Sequence, residues 1–327
     1  MFHSKFPLAF LPTPLHYLPN LSKRLSYDIY IKRDDQTGLA TGGNKTRKLE
    51  YLIKEAIDYG YDTVITAGAQ QSNHCRQTAA ACAKAGLECH LWLNGKEPKT
   101  YQGNLLLSHL LGAHLHFSGE TTKGRETALQ NLKEKLDTQG RKTYLIPVGG
   151  SNLTGAKGYI AAMQELKQQM IELHIDFDYI FFATSSGGTQ AGIMIGQEIS
   201  GIKATLMPIM IDKEEDYEIP LQQTIYDIIN LYNKTASQPL HIKLEEIPVV
   251  KSCNSAGYGV ITDNERRAIR ILAQTEGILL DPVYTGRAFY GMLDILEKKQ
   301  LPPKSKILFW HTGGIPALCA YVNELKY

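Results

Sequence analysis

A chain of 327 residues, 43% apolar and 21% charged, is long enough for one large or two medium cores and has an ordinary globular composition. Its formal net charge is +2, with Lys and Arg spread along the chain, which argues against the concentrated basic face that nucleic-acid binding needs. Five cysteines, an odd number without C-x-x-C spacing, argue against a paired disulfide framework and for reduced packing thiols.

The first stretch, MFHSKFPLAFLPTP, holds a very short apolar run interrupted by Pro7 and Pro12, so no signal peptide is expected. No run elsewhere approaches the roughly 20 residues that span a bilayer, and a cytoplasmic location is the expectation. Asp34 and Asp35 read as orienting the loop ahead of TGGNKTRKLE, residues 41–50. There a Gly-Gly-Asn turn leads into a helix whose apolar residues recur at Leu49, Leu52, Ile53 and Ala56, with Gly60 as the stop. Asn44 is the expected N-cap, which puts Lys45 in the first turn at the positive end of the helix. That end, with Arg47 and Lys48, disfavours an ammonium and raises the share of free amine, the form that attacks carbonyls to make a Schiff base. Gly38 and Gly43 also approach P-loop spacing, but Asn44 breaks the Gly-Lys pair that motif requires.

Beyond Gly60, strand-like runs alternate with amphipathic helices. Strands are predicted at 63–67, 88–93, 114–117, 143–147, 178–183, 204–211 and 306–310. Helices are predicted at 73–84, 101–111, 126–138, 154–173, from 189, at 265–275 and at 285–298. This alternation predicts parallel sheets covered by helices on both faces. No Pro- or Ser-rich linker, internal repeat or low-complexity segment divides the chain.

Further stretches could carry chemistry. In AGAQQSNHCRQ, 67–77, a strand ends at Gly68 and Gln71, Ser72, Asn73 and His74 open a helix. Its free N–H groups suit a carboxylate, although Ser72 or Asn73 could be plain caps. After the strand DYIFFATS, the turn Ser186, Gly187, Gly188, Thr189 forms a cradle suited to phosphate. LDPVYTGRA sets Tyr284 and Thr285 before a helix, where packing and capping are the plainer reading. HTGG puts Thr312 in a strand-end loop, where open parallel sheets bind ligands. His114 and His116 lie two apart on one strand face with no third ligand apparent, so no metal is expected. The Lys-Gln-rich helix around Lys167 reads as a solvated face.

A reactive lysine, a carboxylate turn and a phosphate cradle together suit pyridoxal phosphate with a small amino-acid substrate. In KRDDQTGLATGGNKTRKLEYL, AGAQQSNHCRQ, SSGGTQAG, LDPVYTG and HTGG, the sequence resembles the fold-type-II pyridoxal-phosphate enzymes that contain 1-aminocyclopropane-1-carboxylate (ACC) deaminase and D-cysteine desulfhydrase. These signatures fall in the right order over essentially the whole chain. The resemblance implies an α/β, tryptophan synthase β-like architecture of two open parallel-sheet, three-layer domains. The larger, cofactor-binding one would comprise 1–51 and 159–327, and the smaller, mobile one 52–158, in a homodimer. By the same resemblance Lys45 holds the cofactor and then serves as acid/base, and Asn73 bonds the cofactor's phenolic oxygen. Ser72, Asn73 and His74 would bind the substrate carboxylate, and Ser186, Gly187, Gly188 and Thr189 the phosphate. Tyr284 and Tyr258 (in AGYG) would join Lys45 and Ser72 as the catalytic set, with Thr285 and Thr312 completing the cofactor site.

Two positions separate members of this family. ACC deaminases carry Glu after the motif tyrosine and read H-L-G-G, whereas this chain has Thr285 and Thr312. A carboxylate beside the pyridine nitrogen keeps it protonated and the ring a strong electron sink; a neutral hydroxyl does not enforce this. Losing hydrosulfide from a β-carbon asks less of the sink than opening a cyclopropane that has no α-proton. The expectation is therefore a lyase of the D-cysteine desulfhydrase type, forming pyruvate, ammonia and hydrogen sulfide. The alternatives are ACC deaminase, elimination from L-cysteate or D-serine, and a non-catalytic cofactor-binding protein.

Overall fold

The structure, a computed structural model, describes residues 4–119, 124–216, 219–251, 253 and 255–326. The strands are β1 (Leu15–Tyr17), β2 (Asp28–Arg33), β3 (Thr63–Gly68), β4 (Glu88–Leu93), β5 (His114–Phe117), β6 (Thr143–Leu145), β7 (Tyr179–Thr184), β8 (Thr205–Met210) and β9 (Lys306–His311). The helices are α1 (Pro19–Leu25), α2 (Asn44–Asp58), α3 (Asn73–Ala85), α4 (Gly103–Leu110), α5 (Arg125–Thr138), α6 (Leu153–Leu173), α7 (Gly188–Ser200), α8 (Leu221–Asn233), α9 (Asp263–Glu276), α10 (Thr285–Glu297) and α11 (Val322–Leu325). One sheet has the order β5-β4-β3-β6, all parallel. The other has the order β1-β2-β9-β7-β8, parallel except for its antiparallel edge β1.

Period-two alternation along the strands creates the layers. Ile180, Phe182, Leu308 and Trp310 face a core shared with α6, α7 and α8, while Phe181, Ile307 and Phe309 face one shared with α1, α9 and α10. The smaller sheet divides likewise: Val64 packs with α2 and α3, whereas Ile65 and Ala67 meet Leu129, Leu132 and Leu136 of α5. These are the helix-covered parallel sheets that the strand-helix alternation predicts, in the two three-layer units that the family resemblance implies. No helix among the described residues is long and apolar enough to cross a membrane.

Several elements escaped the sequence reading. β2 buries Ile29 and Ile31 in alternation, and α8 buries Leu221, Ile225, Ile228 and Ile229 at helical spacing, so both signals were present. β1, α1 and α11 are short and weakly patterned. The strand expected at 143–147 stops at Leu145, because Pro147 has no N–H to give a ladder and a 3-10 turn follows at Val148–Gly150.

α2 and α6 carry the chain between the sheets, and a buried ion network joins them. Arg47 donates to both oxygens of Asp34 at 2.9 Å and to both oxygens of Glu165 at 2.9 Å. The Tyr159 hydroxyl donates to Asp34 at 2.6 Å, and Lys32 pairs with Glu165 and donates to Gln169 at 2.7 Å. Burial alone would raise the Asp34 carboxyl, but Arg47, Lys32 and Tyr159 outweigh it and hold it down at about 2. The helix around Lys167 is thus not simply a solvated face, since Glu165 and Gln169 turn inward from it.

Candidate active site

Gly43, not Asn44, is the N-cap of α2. Its φ is 129°, and a Cβ there would stand 2.5 Å from Gln77 Nε2, so only glycine fits. Asn44 is the first helical residue, and its Nδ2 donates to Thr189 Oγ1 on α7 at 3.1 Å, which is why it does not cap. Lys45 follows, donating to Asn44 Oδ1 at 3.4 Å. Burial lowers its pKa from the ordinary lysine value and Asp281 partly restores it, leaving about 8. The cause is therefore burial. Arg47, which the sequence reading placed among the causes, points into the ion network instead.

Lys48 is the residue that reading undervalued. It is fully buried and donates to the Gly149 carbonyl at 2.9 Å. Burial, then the neighbouring Lys45, push its pKa well below the ordinary value.

Two helix starts face this lysine pair. At α3, Ser72 is the cap and accepts from the Cys75 N–H at 3.2 Å. Asn73 Oδ1 accepts from Asn104 Nδ2 at 2.8 Å, which leaves the Asn73 amide nitrogen as the donor for a ligand. His74 is buried, and burial, Lys45 and Lys48 keep it neutral. The Thr66 hydroxyl donates to the Ile146 carbonyl at 2.8 Å, so it accepts from His74 Nε2–H at 2.9 Å. His74 Nδ1 is then a bare acceptor without a partner among the described residues. Its side chain brings no positive charge to a carboxylate; only N–H groups of this helix start do.

At α7, Gly187 is the cap and helix begins at Gly188, one residue earlier than expected. A Cβ on Gly188 would stand 2.7 Å from Ser151 Cα and 2.9 Å from Lys48 Nζ, so the backbone reaches the cradle only as glycine. Ser151 Oγ donates to Ser186 Oγ at 2.8 Å and accepts from Gly188 N at 3.2 Å.

The tyrosines stand in tandem. Tyr284 lines the cleft, and its hydroxyl lies 2.9 Å from that of Tyr258, which is set behind it. Burial raises both phenols, so both stay protonated. Thr285 is fully buried and does not line the cleft. Its hydroxyl donates to Asp281 Oδ1 at 2.7 Å and accepts from the Asp281 N–H at 2.8 Å. Asp281 also receives the N–H groups of Val283, Tyr284 and Thr285 at 3.0, 2.9 and 2.6 Å, which fixes the loop that carries Tyr284.

Lys45, Ser72, Asn73, His74, Ser186, Gly187, Thr189, Tyr284 and Thr312 thus meet at one cleft of about 640 Å³, including its open mouth. It lies beyond the carboxyl ends of β3, β7 and β9. Among the described residues no carboxylate lines it. An amine of lowered basicity, an anion cradle backed by a buried lysine and a second N–H-rich helix start suit a phosphorylated aldehyde beside an amino-acid carboxylate. Sequence reasoning gave Lys48 no place of its own in the site and passed over Asn104, Gly149, Ser151 and Asp281. Lys48 and Asp281 lay inside quoted motifs; the others join the site through contacts distant in sequence.

Comparison with known proteins agrees with this chemistry. The chain is 41% identical over 334 residues to the D-cysteine desulfhydrase of Klebsiella pneumoniae (strain 342), covering 98% of each chain. It is 40% identical over 326 residues to the D-cysteine desulfhydrase of Salmonella choleraesuis (strain SC-B67), covering 97% of each. The crystal structure described as an ACC deaminase homologue superposes with a TM-score of 0.89 at 36% identity, covering 99% of this chain and 95% of that one. The family profile described as "Pyridoxal-phosphate dependent enzyme" matches residues 7–313, and the chain belongs to that family of pyridoxal-phosphate-dependent enzymes.

Proposed function

We propose that the protein is a lyase of the D-cysteine desulfhydrase type, converting D-cysteine and water to pyruvate, ammonia and hydrogen sulfide. The observation that carries this reading is a cleft lined by Thr312 and by no carboxylate among the described residues, with a threonine, buried just outside it, following Tyr284. Relatives about 40% identical that are named D-cysteine desulfhydrase support it.

Bound pyridoxal phosphate supplies a sink for the electrons released at the substrate α-carbon. Lys45 holds it and then takes the α-proton, a task suited to an amine titrating near 8. Ser186, Gly187, Gly188 and Thr189, with Lys48 behind them, would hold the phosphate, and the Asn73 amide would hold the phenolic oxygen. The Ser72 hydroxyl and the N–H groups of Asn73 and His74 would hold the substrate carboxylate, since the Ser72 N–H is already given to the Ala69 carbonyl at 3.0 Å. Tyr284, protonated and oriented by Tyr258, gives a proton to the departing sulfur. Thr312, which lines the cleft, would complete the cofactor site, and Thr285 would act indirectly through Asp281. The same reading carries the division into 1–51 with 159–327 against a closing 52–158, a homodimer and a cytoplasmic location.

Steady-state kinetics on D-cysteine, β-chloro-D-alanine, L-cysteate, D-serine and ACC test the reading. Sulfide and pyruvate should form from D-cysteine with kcat/KM at least about tenfold above the other natural compounds. The likeness to the ACC deaminase homologue favours a second reading, ACC deaminase. Formation of 2-oxobutanoate from ACC with no turnover of D-cysteine would put that reading in place of the first.

A further inference from the structure

The smaller sheet carries a second group of donor side chains, away from the cleft and toward the amino-terminal ends of its strands. His90 on β4 and His114 on β5 are register partners, and their rings stack with centroids 4.6 Å apart and planes 18° apart. Glu88 opens β4 two residues before His90, which puts it on the same face. Its Oε1 lies 2.9 Å from His90 Nε2 and 3.3 Å from His114 Nε2. Those spacings fit a tetrahedral site: ligands about 2.0–2.1 Å from a zinc ion stand about 3.3 Å from one another.

The buried His90 and the half-buried Glu88 are each also held from behind. His90 Nδ1 lies 3.0 Å from His116 Nε2, and Arg141 pairs with the other oxygen of Glu88. Such outer partners orient metal ligands, and here Arg141 leaves Oε1 to the histidines. The side chain of His114 is 56% exposed, so an ion can enter and keep a water as fourth ligand. His114 and His116 looked incomplete in sequence because the remaining donors come from the neighbouring strand, more than twenty residues earlier.

We propose that Glu88, His90 and His114 form a site for a divalent transition-metal ion of the zinc class, separate from the cleft. The ion would clip the edge strand β5 to β4. Zinc chloride titrated calorimetrically into untagged, chelator-stripped holoenzyme tests this. One zinc per chain is expected for the wild type, and His114→Ala and Glu88→Gln should each bind at least about tenfold more weakly. His241→Ala, at an exposed loop position, should bind like wild type. An unchanged cofactor spectrum in the variants shows that the cleft is intact; should Glu88→Gln fail to fold, the exposed His114→Ala decides alone. No uptake by the wild type, or equal uptake by His114→Ala, overturns the proposal.

Discussion

Arg47 and Lys45 sit two residues apart on α2 and meet opposite environments. Arg47 has a carboxylate on either side and is held above the ordinary arginine range. Lys45 makes no ion pair among the described residues, and burial brings it down to about 8. Lys48, one turn along, is treated like Lys45. Neighbouring cations can therefore serve opposite ends. One is neutralised to hold the architecture, and the others are left poorly compensated, as the proposed function requires of lysines that meet a cofactor. An uncompensated buried cation costs stability, which is the usual signature of a group kept for chemistry.

The sharpest way to separate the two roles is Lys45→Ala. Turnover should fall by at least about 10³-fold, with Schiff-base absorbance lost. The unfolding midpoint of the cofactor-free protein should stay or rise, because the hydrogen bond removed is a 3.4 Å contact to Asn44 and burial outweighs the attraction of Asp281 for the ammonium. A large drop in the midpoint would make Lys45 structural after all.

Arg47→Met should do the reverse. Leaving Asp34 and Glu165 buried without their partner should cost about 3–5 kcal/mol in urea denaturation. The acid limb adds a check. Asp34 is depressed to about 2 in the folded protein, so its contribution is full above the ordinary carboxylate value and is lost as pH falls through about 2. Wild-type stability should decline between about pH 4 and 2, and the slope should flatten in Arg47→Met. An unchanged slope would move the acid sensitivity elsewhere.

The smallest effect concerns pH and cofactor capture. Cofactor-free protein mixed with pyridoxal phosphate should form the Schiff base faster as pH rises through about 8, where the Lys45 amine becomes free. A midpoint near the ordinary lysine value of 10.5 would mean that Lys45 is bathed in water.

Much of this arrangement was legible in the residues. The Gly-Gly-Asn-Lys turn, the two N–H-rich helix starts and the strand-helix alternation are local patterns, and local patterns survive in a sequence. What Arg47 and Asn44 do was not legible. Arg47 answers to Glu165, 118 residues away, and Asn44 to Thr189, 145 residues away, so neither partner lies within any window a motif can span. The same holds for Asn104, which orients Asn73 from 31 residues away. Asp281 was missed for another reason: its neighbours Tyr284 and Thr285 drew the attention, although their backbone rests on it.

The passages between the two sheets are unbroken helices, α2 and α6, riveted together by the Arg47 guanidinium on Glu165 and by the Thr154 hydroxyl, which donates to Glu55 at 2.6 Å. Stiff rods transmit torque where slack tethers would absorb it. On the proposed function, a swing of the smaller half would turn the first turn of α2, and the Lys45 amine with it.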